Sequence, residues 1–204
     1  MADKIGRVPR GVRSDFPNDY AWPKAGCSLR DLDGPWLDAY LGPPWAEAYI
    51  LGYQRAAEVL SAHVASNGET KTIAFPILFL WRHTIELQLK VIVLKTGELA
   101  GTETRWPMGH RLDELWRTAR TALDQAGLGA AGEIPTVESI ILDLAAFDPD
   151  SDGFRYHEKR DGRRTLEDAP ATIDLKNVCE MLAGVTNFLD CIIADLDARL
   201  EGSA

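Results

Sequence analysis

The chain has 204 residues, of which 22 are Lys or Arg and 31 are Asp or Glu, so its formal net charge at pH 7 is −9. Hydrophobic residues make up 46% of it, enough to form the core of one domain with an appendage. An acidic chain does not offer the broad basic surface that non-specific nucleic-acid binding requires. A small basic site is still compatible with this charge.

The sequence has no motif typical of a metal or cofactor site. Its three cysteines form no CxxC pair, its four histidines form no HExxH, and it has no Gly-rich phosphate loop. We therefore expect no metal and no cofactor. The N-terminus lacks the apolar stretch of a secretory signal, and four ionisable side chains interrupt the most apolar run, 73–94. We expect a cytoplasmic protein that does not enter a membrane.

Residues 1–44 differ in composition from the rest. They contain six of the eleven prolines, and prolines at that density oppose helix formation. We predict an irregular Pro-rich N-terminal segment, 1–44, preceding a helical domain, 45–204. The first 30 residues carry six cations and three anions, a local charge of +3. The segment also contains several aromatic residues, among them Phe16, Tyr20, Trp22 and Trp36, so beyond a loose first dozen residues we expect it to lie across the helical body or across a partner subunit.

From residue 45 onward the apolar side chains recur at steps of three and four, which is typical of amphipathic helices. The spacing predicts five helices, with ends marked by Asn67-Gly68, Gly97, Gly127 and Asp148-Pro149. No stretch alternates as a strand does. The predicted helices span 45–66, 72–95, 110–126, 135–147 and 171–200. The fold class is all-α, an up-and-down bundle of about five helices.

The second predicted helix is apolar on nearly every side, which indicates a central position, yet it carries one polar arc: Arg82, His83, Glu86 and Lys90. Four-residue steps place the Glu86 carboxylate between the two cations Arg82 and Lys90. The arc has two interpretations. It is an internal ion-pair ladder that fixes the helix register, because buried charges must be paired. Alternatively, it lines a polar groove beside the core, in which His83 titrates near neutral pH.

Two later features carry candidate chemistry. His110 follows Gly109 at a predicted helix start, which places an imidazole near free backbone N–H groups. The loop 154–164 combines aromatic residues with cations, a composition that suits phosphate contact and base stacking, although most charged loops are simply solvated. Its five cations are Arg155, Lys159, Arg160, Arg163 and Arg164, opposed within it by Glu158 and Asp161.

Three segments together resemble the HEPN superfamily. They are Arg-His-Thr-Ile-Glu-Leu-Gln-Leu-Lys at 82–90, Gly-His-Arg-Leu at 109–112 and Phe-Arg-Tyr at 154–156, in an order and spacing that cover roughly 45–200. The resemblance implies an α-helical bundle that commonly forms a homodimer. It also implies a place in a prokaryotic toxin–antitoxin or phage-defence system, often beside a nucleotidyltransferase.

Catalytic members of this superfamily are metal-independent endoribonucleases in which four to six residues separate an Arg from the His that follows it. In them the Arg stabilises the phosphate, and the His transfers protons while the 2′-hydroxyl attacks. The one match here is Arg105 with His110, and the intervening Pro107 opposes the helical presentation of both side chains. The sequence is therefore more similar to the lineage that lacks the nuclease motif.

We expect the polar arc to face His110 and the loop 155–161 across a groove. The leading hypothesis is a nucleotide- or RNA-interacting defence or toxin–antitoxin component, partnered by itself and by a nucleotidyltransferase or another defence protein. One alternative is a non-enzymatic helical interaction dimer whose arc is structural; another is a metal-independent endoribonuclease. The predicted ligand-binding residues are Arg82, Glu86, Lys90, Arg155, Tyr156, His157 and Asp161, and the candidate proton shuttles are His83 and His110.

Overall fold

The computed structural model of the chain describes residues 45–68, 72–159 and 161–203, so the predictions for 1–44 lie outside the described residues. Within these ranges the secondary structure consists of five helices, with no strand beyond an isolated bridge between Glu158 and Arg164. The prediction of an all-α helical bundle is confirmed. The helices are α1 (Ala46–Asn67), α2 (Ala74–Leu99), α3 (Leu112–Gln125), α4 (Ile134–Phe147) and α5 (Leu175–Ser203).

Helix α2 is the centre of the bundle, as its apolar character on nearly all sides predicts. It packs against α1, α3 and α5, and α4 covers the outer side of α3 and α5. Its core side chains are almost completely buried, because three neighbouring helices exclude water from them; they include Ile77, Trp81, Ile85, Leu89 and Ile92. A polar residue on such a helix must find its partners inside the protein.

At the C-terminal ends of α1 and α2 the sequence prediction is right once and wrong once. Gly68 ends α1 as expected, with a φ of 69° and its N–H donated to the Val64 carbonyl at 2.8 Å. Gly97, in contrast, does not end α2, which continues to Leu99 and closes at Gly101, where φ is 65°. Glycine is needed at 97 because a Cβ there would collide with the Thr104 methyl of the following connection.

Three helices begin two or more residues later than the periodicity predicts, and one of them is α2, which begins at Ala74 rather than near 72. Helix α5 begins at Leu175 rather than near 171, because the Asp174 carboxylate accepts the Asn177 N–H at 3.1 Å and caps the first turn. Helix α3 begins at Leu112 rather than at His110. His110 therefore lies in the irregular connection that precedes α3, where its side chain is free to turn toward α2.

Helix α5 is the one described helix that is long and apolar enough to cross a membrane, with a mean hydropathy of 1.3 over its most apolar window. The interior of the bundle buries 39% of that window. Length and composition alone do not distinguish a membrane span from a core helix.

Truncating a core side chain of α2 tests this packing. We expect Leu89→Ala, at a completely buried site, to lower the free energy of unfolding by about 2–5 kcal/mol through lost burial and the cavity left behind. Urea denaturation, monitored by far-UV circular dichroism, measures this free energy. Leu51→Ala in α1, where the leucine is 66% exposed, is the matched control and should change it by less than about 0.5 kcal/mol. Equal effects of the two substitutions would contradict the packing.

Candidate functional site

A buried carboxylate organises the polar arc of α2. Glu86 is 1% exposed, and its two oxygens accept hydrogen bonds from three side chains. Oε1 accepts from Lys90 Nζ at 2.9 Å and from His110 Nδ1 at 2.8 Å, while Oε2 accepts from Arg82 Nη1 at 3.2 Å. The four-residue ladder predicted from the sequence therefore forms, and it gains a histidine from the connection before α3.

Arg82 joins this cluster to the connection after α4. It is completely buried, and its Nη1 donates to Ser151 Oγ at 2.8 Å. Its Nη2 donates to the backbone carbonyls of His110 at 2.8 Å and Asp148 at 3.3 Å. Its Nε lies 3.5 Å from Asp148 Oδ2. One guanidinium thus holds together α2 and the two irregular connections that carry the other candidate residues.

The connection after α4 is itself fixed by Asp148 and strained at Ser151. Asp148 Oδ1 accepts the backbone N–H groups of Asp152 at 2.9 Å and Gly153 at 2.8 Å, which closes a tight loop. Ser151 is buried with a φ of 64°, a left-handed conformation that costs a non-glycine residue on the order of 1 kcal/mol. The strain is tolerated because this conformation directs the hydroxyl of Ser151 to Arg82.

The charges of the network balance one another. Burial lowers the pKa of Arg82, and the carboxylates of Asp148 and Glu86 oppose that shift. Burial alone would raise the pKa of Glu86, but the hydrogen bonds from Lys90 and His110 together outweigh it and hold the pKa below its ordinary value. Two buried cations face two buried carboxyl groups. This arrangement is the ion-pair ladder, and it leaves Arg82, Glu86 and Lys90 beneath the surface rather than lining an open groove.

His110 is the exposed member of the network. Its side chain is 62% exposed although Nδ1 is bonded to the buried Glu86 carboxylate. Because a carboxylate only accepts hydrogen bonds, Nδ1 carries the proton and Nε2 is left as the outward nitrogen. Among the described residues, Nε2 has no hydrogen-bond partner. Such a histidine can accept a proton from a ligand at Nε2, and only in its doubly protonated form does Nε2 donate a hydrogen bond to an anion.

The other candidate proton shuttle, His83, lies in a different environment. Its ring meets Tyr53 edge to face, with centroids 4.6 Å apart, and stacks on Phe79 with centroids 5.6 Å apart and an interplanar angle of 10°. Burial lowers its pKa, and the nearby cation of Lys90 adds to that shift. His83 therefore packs as a neutral aromatic ring at neutral pH.

Contacts continue from His83 in both directions along the surface. Tyr49 stacks on Tyr53 with centroids 6.5 Å apart. At the other end the Arg155 guanidinium lies 5.6 Å from the Phe79 ring centre and 5.3 Å from that of Tyr156. The terminal tyrosines, Tyr49 and Tyr156, are 51% and 56% exposed. We name this set the aromatic row; in order of contact it is Tyr49, Tyr53, His83, Phe79, Arg155 and Tyr156.

The aromatic row and the buried network meet at Ser151. Its carbonyl accepts from Arg155 Nε at 2.8 Å, while its hydroxyl accepts from Arg82. The structure therefore brings Arg82, His110 and Arg155 into one connected cluster, as the groove hypothesis expects. It differs from that hypothesis in burying the three charged arc residues, Arg82, Glu86 and Lys90, and exposing His110 and the two ends of the aromatic row instead.

The loop 154–164 is less basic than its composition indicates. Lys159 pairs with Asp150 at 3.0 Å, and Arg155 contacts Asp152 at 3.3 Å. Both carboxylates precede the loop in sequence, so counting charges within the loop misses them. The two predicted ligand residues His157 and Asp161 lie on its surface. The His157 side chain is 95% exposed, and the Asp161 carboxylate pairs within the loop with the neighbouring Arg163 at 2.7 Å.

Sequence reasoning misses several residues of this cluster. In the sequence, Asp148 and Ser151 look like the end of α4 and the start of its linker. Nothing local indicates that their oxygens accept hydrogen bonds from Arg82, which is 66 or more residues away. Nothing in the sequence distinguishes Tyr53 and Phe79 from ordinary apolar residues of a helix. The usable signals are the four-residue steps from Tyr49 to Tyr53 and from Phe79 to His83, which place each pair of rings on one helix face.

No family model matches this sequence, and neither a curated protein nor a solved structure shows significant similarity to it. The resemblance to the HEPN superfamily thus depends on the three sequence segments alone. Across the residues that the structure describes, no three His, Cys, Asp or Glu side chains are grouped so that they could hold a metal ion.

Neutralising Glu86 tests the network. We expect Glu86→Gln to lower the free energy of unfolding by about 3–5 kcal/mol at pH 7, because two buried cations lose their carboxylate. The matched control is Glu180→Gln, which removes an exposed Lys–Glu pair of the same spacing, at 3.7 Å, and should cost less than about 0.5 kcal/mol. Because the folded-state pKa of Glu86 lies below its ordinary 4.5, the wild-type advantage should vanish as the pH falls through that folded value. A gap that persists in acid would contradict this assignment.

His83 predicts a second pH dependence. Its folded-state pKa lies below the unfolded value of about 6.5, so the unfolded chain binds the extra proton first. Stability should therefore decrease as the pH falls below about 6.5, and His83→Phe, which keeps an aromatic ring, should flatten that decrease. Urea denaturation at a series of pH values measures the slope. His157→Gln, at the 95% exposed side chain, should leave the slope unchanged, and an unchanged slope in His83→Phe would refute the assignment.

Proposed function

We propose that this chain is a HEPN-like nucleotide- or RNA-interacting component of a prokaryotic defence or toxin–antitoxin type system, and that it binds without cleaving. The observation that carries the proposal is the aromatic row. Base-sized flat surfaces with a cation among them are the means by which proteins bind single-stranded nucleic acid without reading its sequence. Arg155, between the Phe79 and Tyr156 rings, adds a positive charge at the exposed end of the row.

The proposal fits the electrostatics of the acidic chain. Most of the described cations near the site are paired with carboxylates, so long-range attraction of a polyanion is weak. Binding then depends on stacking more than on phosphate charge. We accordingly expect short unpaired RNA segments or nucleotides as ligands. The homodimer, the nucleotidyltransferase or other defence-system partner and the cytoplasmic location belong to this proposal through the HEPN resemblance.

One observation favours a second candidate function, a metal-independent endoribonuclease. Glu86 orients His110 so that Nε2 faces outward, as in a proton-transferring dyad. Against it, Arg105 and His110 lie in the irregular 102–111 connection rather than on a helix, as Pro107 predicts, so a helix does not present them together. A third candidate, a non-enzymatic interaction protein, is favoured by the burial of Arg82, Glu86 and Lys90.

Binding of a fluorescently labelled single-stranded RNA, followed by fluorescence anisotropy, tests the proposal. We expect Tyr156→Ala to weaken binding about 5- to 100-fold, since one stacked base contributes about 1–3 kcal/mol. Tyr156→Phe, which keeps the ring, should bind like wild type, and so should Met181→Ala, at an exposed position on α5. Absence of RNA and nucleotide binding in the wild type would favour the interaction-protein candidate.

The same RNA incubated with the protein in EDTA separates binding from cleavage. Intact RNA is the expected result. Cleavage that persists in wild type and is lost in both His83→Ala and His110→Ala would replace binding with the endoribonuclease function.

A further inference from the structure

The Tyr49 end of the aromatic row borders a surface that has the features of a small-molecule site. It is a cleft of about 360 Å³, open to solvent and distinct from the Tyr156 end of the aromatic row. Three segments build it: α1, α2 and the connection between α2 and α3. We name it the aromatic cleft; it is lined by Ala46, Tyr49, Tyr53, His83, Leu87 and Trp106.

We propose that the aromatic cleft receives one nucleobase of a nucleotide and that His110 Nε2 contacts the phosphate of the same ligand. This inference rests on the proposed function, which it deepens by naming the site and the ligand class. The lining gives the first reason. Four of its six side chains are aromatic rings, which favour a flat heteroaromatic ligand over an aliphatic one.

The position of His110 gives the second reason. Lys90 Nζ lies 5.9 Å from the centre of the Trp106 ring, 2.9 Å from Glu86 Oε1, and Glu86 Oε1 lies 2.8 Å from His110 Nδ1. Two buried groups, the Lys90 ammonium and the Glu86 carboxylate, therefore connect the Trp106 wall to His110. Base and phosphate are separate parts of a nucleotide. The cleft offers a stacking surface for the base, and the His110 imidazole, in its doubly protonated form, offers an Nε2–H donor for the phosphate.

The charge beneath the cleft selects between two kinds of ligand. Aromatic clefts also bind quaternary ammonium groups through cation–π attraction. Here the Lys90 ammonium already lies against the Trp106 ring, so a second cation on that ring would be repelled.

Trp106 is the residue whose removal should be most informative. It is 38% exposed and belongs to an irregular connection, so its loss should not disturb the helical core. Met108, two residues away and 90% exposed, is a matched control on the same connection, since it does not line the cleft. The second informative variant is His110→Gln, whose side-chain amide can still donate a hydrogen bond to Glu86 but presents no imidazole to a phosphate.

Isothermal titration calorimetry with AMP and UMP, with adenosine and with choline chloride tests the inference. We expect both monophosphates to bind, adenosine to bind more weakly than AMP, and choline not to bind. Trp106→Ala should weaken AMP binding about 5- to 100-fold, from about 1–3 kcal/mol per stacked base, with Trp106→Phe intermediate and Met108→Ala unchanged. His110→Gln should weaken AMP binding and leave adenosine binding unaffected.

Several results would overturn the inference: equal AMP binding by wild type and Trp106→Ala, equal losses in Trp106→Ala and Met108→Ala, or choline bound as tightly as AMP. Urea denaturation of each variant identifies losses that arise from unfolding. If the labelled RNA binds through Tyr156 while no mononucleotide binds, the aromatic cleft is not a nucleotide site and the proposed function stands. If neither RNA nor any mononucleotide binds, both proposals are wrong.

Discussion

The Glu86 carboxylate is the constraint on which the rest of the site depends. It is buried at the centre of the bundle, where an unpaired charge would cost several kcal/mol, so it must be surrounded by donors. Two of them, Arg82 and Lys90, come from its own helix, and the third, His110, must be drawn in from a connection. The need to satisfy one acceptor therefore decides where the chain between α2 and α3 passes.

Arg82 has the same effect on the other connection. A guanidinium has five N–H donors, and a buried one needs more acceptors than a single glutamate provides. The His110 carbonyl, the Asp148 carbonyl and the Ser151 hydroxyl accept further hydrogen bonds from it, Ser151 at the cost of a left-handed conformation. In this conformation the Ser151 carbonyl also accepts from Arg155, which lies against Phe79 and Tyr156. The buried network thus determines the geometry of the exposed residues without itself meeting solvent.

The separation between the buried network and the exposed residues that it positions explains why the two interpretations of the polar arc are both partly right. The arc is an ion-pair ladder, since its three charged residues are buried and paired. It also supports a surface on which His110 and the aromatic residues lie together. Burial divides the residues to which the sequence assigns chemistry. Arg82, Glu86 and Lys90 are covered, whereas His110 and Tyr156 are free to touch a ligand.

Sequence alone determined the five helices, the central place of α2 and the Arg82–Glu86–Lys90 ladder, because helical periodicity and four-residue spacing are local properties of the chain. It misplaced the end of α2, since a glycine needed for packing against Thr104 resembles a glycine that stops a helix. Only the tertiary structure decided that Ser151 and Asp148 accept hydrogen bonds from Arg82, that His110 bonds to Glu86 while most of its side chain is exposed, and that Tyr53 meets His83. These contacts join residues far apart in the chain, and they are selected by which buried groups lack partners once the helices pack.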